Sequence, residues 1–167
     1  MMTRVIPSTI MLLVVAGCCG YSTRSLLPSH IRSVAVVPVE NSTTQPDLGE
    51  ALTDSLVAAF KADRNLTLTD AAGAQLLVTS TISSYGRDPV AYVGDQTVNR
   101  YKVEIGASVA AHDQVRDEDF FSGAVSAELT YNPDSTPDIG LSSEQSAQRR
   151  TVGKLAREIV RQVVTSW

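Results

Sequence analysis

The stretch Tyr101-Lys102-Val103-Glu104-Ile105-Gly106-Ala107-Ser108-Val109-Ala110-Ala111 decides the fold class of this chain. Its odd-numbered residues are aromatic, β-branched or alanine, and polar or small residues lie between them. An alternation with a period of two predicts a strand with one buried face and one partly solvated face. Residues 113–119 then form a turn, and Phe120–Tyr131 is the return strand of a hairpin. The sheet is therefore predicted to be largely antiparallel at this end.

Towards the N-terminus, Leu76–Tyr85 is a further predicted strand, separated from the first by a connection over residues 86–98 that contains glycine and proline. Both alternating sets of this strand mix apolar and polar residues, so the alternation does not determine which face is buried. The β-branched run Ile31–Val39 predicts another strand, in which Pro38 indicates an edge without a ladder partner. A short strand is predicted over Leu66–Thr69.

Two segments have helical patterns. Asp47 and Glu50 have the spacing of a capping box, and a helix over Leu48–Ala62 would place Leu48, Leu52, Leu56 and Phe60 on one face. After a loop over residues 132–140, Ser142–Gln145 offers a second cap. The following helix has its apolar residues at Val152, Leu155, Ala156, Ile159, Val160, Val163 and Trp167. The order of elements predicts an α+β fold with a mixed, largely antiparallel sheet of four to five strands and two helices packed on one face.

The N-terminus has the pattern of an export signal. Arg4 precedes the apolar run Val5–Ala16, which is too short for a permanent membrane span of about 20 residues. Val15-Ala16-Gly17-Cys18 resembles the bacterial lipobox, which implies that residues 1–17 are a lipoprotein signal peptide and that Cys18 carries a covalent lipid. Acylation of Cys19 and a plain secretory signal are the alternatives.

The lipobox resemblance sets the expected domain organisation and location. Residues 18–29 are predicted to be the lipidated N-terminus and tether, and residues 30–167 a single α+β domain. Position 19 is not the Asp that the sorting rule reads as retention at the inner membrane. The expected location is therefore the outer membrane, with the domain facing the periplasm.

Composition and motifs exclude several classes of function. The chain has a formal net charge of −4, which becomes −5 without Arg4, and this acidic balance argues against nucleic-acid binding. Both cysteines lie at the anchor. His30 and His112 lack metal-ligand spacing, and the acidic run 117–119 is expected to be a solvated turn. We therefore predict a non-enzyme with no metal and no cofactor besides the lipid on Cys18.

Basic residues are the remaining candidates for binding. The C-terminal helix has a basic stripe that faces only Glu144 and Glu158: Arg149, Arg150, Lys154, Arg157 and Arg161. A second group, at the ends of the 86–98 connection, consists of Arg87, Arg100 and Lys102. Both groups are either solvated charges or anion sites for phosphates or an acidic partner. Tyr92 and Val93 are candidate exposed apolar contacts.

Several motifs together resemble the lipopolysaccharide-assembly lipoprotein family, LptE. They are Cys19-Gly20-Tyr21, the run Val37-Pro38-Val39-Glu40-Asn41-Ser42-Thr43, the segment Ile82-Ser83-Ser84-Tyr85 and the terminal Trp167. The resemblance implies a plug and chaperone of the β-barrel LptD that assists delivery of lipopolysaccharide, with the basic residues contacting its phosphates. The Pro-x-Glu-Asn pattern also occurs in CsgG-like lipoproteins and in activators of penicillin-binding proteins. A secretion component or a cell-wall synthase regulator is therefore the alternative.

Overall fold

The computed structural model describes residues 27–94, 97–138 and 140–165. The elements run in the order β1 (Ser33–Val36), β2 (Glu40–Asn41), α1 (Leu48–Asp63), β3 (Thr67–Leu68), β4 (Leu76–Val93), β5 (Thr97–Asp113), β6 (Glu118–Tyr131) and α2 (Ser143–Thr165). They form one mixed sheet with the order β3-β1-β4-β5-β6, in which β2 also pairs with β4. The predicted α+β class is confirmed, and the sheet has six strands, slightly more than predicted.

The predicted strand over Ile31–Val39 is formed only at β1, Ser33–Val36, and β2 follows directly after its predicted end. Both strands pair in parallel with β4, and Pro38 lies between them. The pairing of β1 with β3 covers only Ser33 and Val34, so within the described chain the edge opposite β4 has no ladder partner at Pro38, as predicted. Proline is tolerated at such an edge because it has no N–H to donate to a further strand.

Both helices pack on the same face of the sheet and share one core. The helix face predicted for α1 is confirmed, since Leu48, Leu52, Leu56 and Phe60 are all buried. The α2 residues predicted to be apolar contacts are buried as well, except that Trp167 lies outside the described residues. The opposite sheet face has small polar side chains such as Thr79, Ser108 and Ser122 and is open to solvent.

A register shift explains why the sequence of β4 has no clear buried face. Leu76, Val78 and Ile82 point towards the helices, and the β4–β5 register shifts between Ile82 and Ser84. Beyond this irregularity Tyr85, opposite the buried Ile105, packs against the core. The extra residue reverses the alternation, so each half of the strand follows a different parity.

The predicted loop over residues 86–98 is wrong for most of its length. Arg87 is paired with Val103 and Pro89 with Tyr101, so β4 and β5 form one long antiparallel hairpin. Pairing with β5 satisfies the backbone groups that the glycine and proline content suggested would be solvated. Pro89 is tolerated beside a register shift between Pro89 and Ala91.

The two helix starts differ. Ser142 and Gln145 form a reciprocal capping box, in which the Gln145 N–H donates to Ser142 Oγ and the Ser142 N–H donates to Gln145 Oε1. The capping box predicted at Asp47 is wrong. Asp47 has a left-handed backbone with φ 63°, instead of the extended conformation usual for an N-cap residue, and makes no side-chain cap hydrogen bond.

The hairpin gives the molecule two distinct ends. At one end, which we call the tether end, β1 enters the sheet beside Leu76 and the turn between β5 and β6. At the other end β6 stops opposite Tyr101, so residues 90–93 and 97–100 continue as a two-stranded ribbon. At 3.3 Å per residue, β4 extends roughly 55 Å from the tether end to the ribbon. Among the described residues, neither helix has the length and apolar character needed to span a membrane.

Candidate functional site

The structure divides the second predicted basic group, Arg87, Arg100 and Lys102, between the two sheet faces. Arg87 pairs with Val103, whose side chain is buried under the helices. Lys102 is the next residue of β5 and therefore points to the open face, which Arg100 shares by the same alternation. The sequence already indicated the face of Lys102, because alternation along the strand places it opposite to Tyr101 and Val103, which belong to the apolar face.

Arg87 is held by aromatic and acidic neighbours. Its Nε donates to Tyr131 Oη over 2.9 Å and lies 3.2 Å from Glu144 Oε2. The guanidinium lies 4.0 Å from the centre of the Tyr101 ring, which stacks on Tyr131. The bond to Tyr131 raises the pKa of Arg87, and partial burial followed by Glu144 raises the pKa of Tyr85. Arg87 therefore joins the hairpin to the first turn of α2.

Lys102 separates two glutamates on the open face. Glu104 and Glu128 are directly opposite each other on β5 and β6, and Lys102 Nζ lies 3.0 Å from one carboxylate and 3.3 Å from the other. Hydrogen bonding, first to Glu104 and then to Glu128, raises the pKa of Lys102. The lysine offsets a like-charge cross-strand pair that would otherwise destabilise the sheet.

The ribbon carries the remaining residues of this group. Arg100 is exposed and forms no salt bridge with any described acidic residue. Val90 and Tyr92 are exposed, as predicted for Tyr92, whereas the side chain of Val93 lies outside the described residues. The ribbon therefore presents apolar and cationic side chains together.

On α2, four of the predicted cations form one line along the β6 side of the helix. Their spacing keeps them on one helical face: Arg150, Lys154, Arg157 and Arg161. We call this set the α2 basic line. Arg150 lies 3.2 Å from Asp138, and Lys154 Nζ donates to the backbone carbonyl of Glu128 over 3.1 Å. Arg161 binds Glu158 and thereby lowers the pKa of that carboxyl group.

Two predicted residues of α2 have free guanidinium groups within the described ranges. Arg157 forms no salt bridge there and extends past Gly153. Arg149 lies on another side of the helix, where it lines a groove of about 270 Å³ beside the start of α1. The five cations of the predicted stripe therefore belong to two surfaces.

Both histidines have carboxylate partners that the sequence spacing did not reveal. His30 Nε2 lies 2.6 Å from Asp113 Oδ2, across 83 residues of chain, and Asp113 is only 2% exposed. His112 contacts Asp117 and Asp119 of the predicted acidic turn at 3.3 and 3.0 Å. Within the described residues no three histidine, cysteine, aspartate or glutamate side chains are grouped as a metal site would need.

The predicted lipidation site, Cys18, and the alternative, Cys19, lie outside the described residues. The prediction of acylation therefore rests on the sequence. The described chain begins three residues before His30, whose bond to Asp113 holds the end of the predicted tether against the turn between β5 and β6.

The family model for LptE, described as lipopolysaccharide-assembly, matches residues 31–163. No curated protein matches at a significant level.

Several solved structures share the fold. A protein from Xanthomonas campestris has a TM-score of 0.59 at 12% identity and covers 82% of this chain and 86% of its own. PelC from Paraburkholderia phytofirmans, solved as a dodecamer, has a TM-score of 0.54 at 14% identity, covering 82% and 89%. A minor lipoprotein from Acinetobacter baumannii has a TM-score of 0.51 at 17% identity, covering 80% and 92%. At these identities the similarity shows the fold alone.

Proposed function

Since this chain belongs to the LptE family of lipopolysaccharide-assembly proteins, we propose that it is an outer-membrane lipoprotein that serves as a non-catalytic plug and chaperone of the LptD barrel. The observation that carries the proposal is the family match over residues 31–163, which contain every strand, all of α1 and most of α2. The lipoprotein assignment is supported further by the lipobox-like stretch before Cys18.

The anchor determines how the domain would stand on the membrane. Two or three acyl chains hold a protein on a bilayer, whereas one chain does so only marginally. With the lipid on Cys18 and the tether ending at His30, the tether end of the sheet would face the outer membrane from the periplasmic side. The ribbon would then lie at the end of the domain farthest from this attachment.

A non-catalytic role is supported by the contacts of the ionisable side chains. Asp113 binds His30 and two N–H groups of the β5–β6 turn. Arg87 and Lys102 join neighbouring elements of the fold. Each of these groups has a structural task that accounts for its position.

Contact with lipopolysaccharide is assigned to the cations that remain accessible. Arg87 and Lys102 would have to leave acidic partners, so they are the weaker candidates among the predicted residues. Arg100, Arg149 and Arg157 are free of described acidic partners, and Lys154 and Arg161 lie beside Arg157 on the α2 basic line. Phosphate groups bind well to such exposed guanidinium groups through paired hydrogen bonds.

The phosphate contact is tested by charge reversal. Arg157→Glu with Arg161→Glu is expected to weaken binding of purified lipopolysaccharide while circular dichroism stays unchanged. Lys61→Glu with Arg64→Glu is the matched control, because it makes the same change in net charge at the exposed end of α1. If both double variants bind lipopolysaccharide equally well, the cations of the α2 basic line are solvated surface charges and not a phosphate site.

The partner is tested by extracting the full chain from membranes with mild detergent. We expect a large outer-membrane barrel to co-purify, and we expect Cys18→Ser to lose both acylation and the barrel. Recovery of a periplasmic synthase, or of a ring-shaped homo-oligomer, would contradict the proposal and favour the regulator or secretion alternative. Normal lipid labelling of Cys18→Ser would contradict the assigned acylation site.

A further inference from the structure

Between Ser122 and Thr130, the outer edge of β6 pairs with no other strand of the described chain. β6 ends the strand order and pairs only with β5. Proline on an edge strand is a common way of preventing it from pairing with other strands. β6 contains no proline. A register shift beside His112 twists only its beginning.

The carbonyl of Glu128 shows which residues of β6 present their backbone outwards. Lys154 reaches this oxygen from α2, so it cannot be bonded to β5 in the usual way. Because N–H and C=O groups of an antiparallel strand alternate in direction, the even-numbered residues share this orientation. They are all exposed, and most have small side chains: Ser122, Ala124, Ser126, Glu128 and Thr130.

Charge distinguishes the two sides of this edge. On the helix side it is flanked by the α2 basic line, of which Arg150 and Arg161 are balanced by Asp138 and Glu158. On the open-face side Lys102 is shared between Glu128 and Glu104, which leaves one net negative charge, and the other outward residues of the edge are serine, alanine and threonine. The edge is therefore cationic towards α2 and weakly acidic on its other side.

This charge pattern disfavours a second copy of the chain as the occupant. If two β6 edges paired, the α2 basic lines of both copies would be brought together beside the joint sheet. The like charges of the two basic lines would repel each other. A strand with carboxylates on the helix side would instead meet Lys154 and the free Arg157.

We propose that the β6 edge binds an extended segment of a protein partner that carries acidic side chains at alternate positions. The segment adds a seventh strand, bonds to the outward N–H and C=O groups of residues 122–130, and directs its carboxylates to the α2 basic line. Lys154 releases the Glu128 carbonyl and binds one of these carboxylates. Lys154 and Arg157 are also candidates for the lipopolysaccharide contact under the proposed function, so the two ligands would compete for them. The backbone pairing does not depend on the identity of the barrel.

The test uses the full chain in mild detergent with two nine-residue peptides labelled with fluorescein. One alternates glutamate with threonine and the other lysine with threonine. Fluorescence anisotropy is expected to show binding of the glutamate peptide, weaker at high salt, and about tenfold weaker binding of the lysine peptide. Hydrogen exchange is expected to show new protection of the amides of Ser122, Ala124 and Ser126.

Backbone pairing is tested by Ser126→Pro, which removes an outward N–H without removing a bond to β5. Binding of the glutamate peptide should fall about tenfold, whereas Ser126→Thr keeps the N–H and should bind like the unchanged chain. If Ser126→Pro does not fold, Lys154→Glu retains the strand and should abolish the preference for the glutamate peptide.

Equal binding of both peptides, or binding without protection of β6, would overturn the proposal. So would protection of these amides by purified lipopolysaccharide in place of the peptide, which would assign the edge to that ligand. The lipopolysaccharide and barrel experiments have separate readouts, so the proposed function can stand or fail independently of this edge.

Discussion

Replacing Asp113 by alanine should destabilise the tether end of the molecule. One carboxylate oxygen of Asp113 accepts hydrogen bonds from the N–H groups of Val115 and Arg116 at 2.8 and 3.2 Å. The other lies 2.6 Å from His30 Nε2. Asp113→Ala would therefore loosen both the turn between β5 and β6 and the attachment of residues 27–31.

The size of the effect follows from these three contacts. Each hydrogen bond contributes about 1 kcal/mol net, and bonds to a charged group somewhat more. Val115 and Arg116 lie in an exposed turn, so their N–H groups regain water in the variant. Removal of the carboxylate also relieves the cost of burying it, about 1 kcal/mol. We expect a net loss of about 2 kcal/mol in the free energy of unfolding.

The pH dependence has a defined sign. Burial has the largest single influence on the pKa of Asp113 and raises it, but the bonds from His30, Val115 and Arg116 together outweigh burial and lower the pKa. A lowered pKa means that the stabilisation is complete above the ordinary aspartate value of about 3.9. It is lost as the pH falls through the pKa of the folded protein. The difference in the free energy of unfolding between the unchanged chain and Asp113→Ala should therefore have its full size at pH 6 and become smaller in acid.

Urea unfolding followed by circular dichroism measures this difference, and Asp113→Asn is the matched control. Asparagine keeps an oxygen that accepts hydrogen bonds from the turn but lacks the charge. The Asp113→Asn protein should therefore lose about 1 kcal/mol in the free energy of unfolding, and its stability should not depend on acid pH through this residue. An Asp113→Ala protein as stable as the unchanged chain at pH 6 would refute the assignment of Asp113 as the residue that holds this end together.

Three further predictions concern other parts of the fold. Leu56→Ala creates a cavity in the fully buried face of α1 and should cost about 2–5 kcal/mol in urea unfolding, whereas a cost under 1 kcal/mol would mean that the core repacks there. A Cβ at Gly106 would lie 2.5 Å from Ser84 Oγ, so Gly106→Ala should lower the melting temperature and Ser84→Ala should restore it; no rescue would point to backbone effects instead. Hydrogen bonding, first to Asp119, raises the pKa of His112, so its stabilisation is full below about pH 6.5 and is lost as the pH rises through the folded value. His112→Gln should therefore reduce the change in urea midpoint between pH 6 and pH 8.5, and an unchanged difference would contradict this role.

Local patterns predicted the parts of the fold that depend on neighbouring residues. The alternation from Tyr101 to Ala111 and the face of α1 reappear in the structure because burial of every second or fourth residue is a property of the element itself. The capping box of α2 was visible for the same reason. The start of α1 shows the limit of such motifs, since Asp47 has the right spacing but the wrong backbone conformation.

Long-range pairing accounts for what the sequence did not predict. Gly86 and Pro89 are typical of a loop, yet both lie in β4 because β5 supplies their partners. The irregularity between Ile82 and Ser84 is specified by the β4–β5 register and leaves no local pattern. His30 and Asp113 are brought together only when the start of β4 pairs with β1 on one side and with the end of β5 on the other, so no spacing rule could connect them.

The long hairpin determines how the candidate surfaces are ordered relative to the predicted anchor. α2 starts near Tyr131, where Glu144 meets Arg87, and runs back along β6, so its C-terminal half is nearer the tether end. Along the α2 basic line, Arg161 therefore lies closer to the predicted membrane attachment than Arg150 does, whereas the ribbon with Tyr92 and Arg100 projects from the opposite end. Because the two regions lie at opposite ends of the same strands, a partner at the ribbon and an anion near the tether end could be bound at once without competing for the same residues.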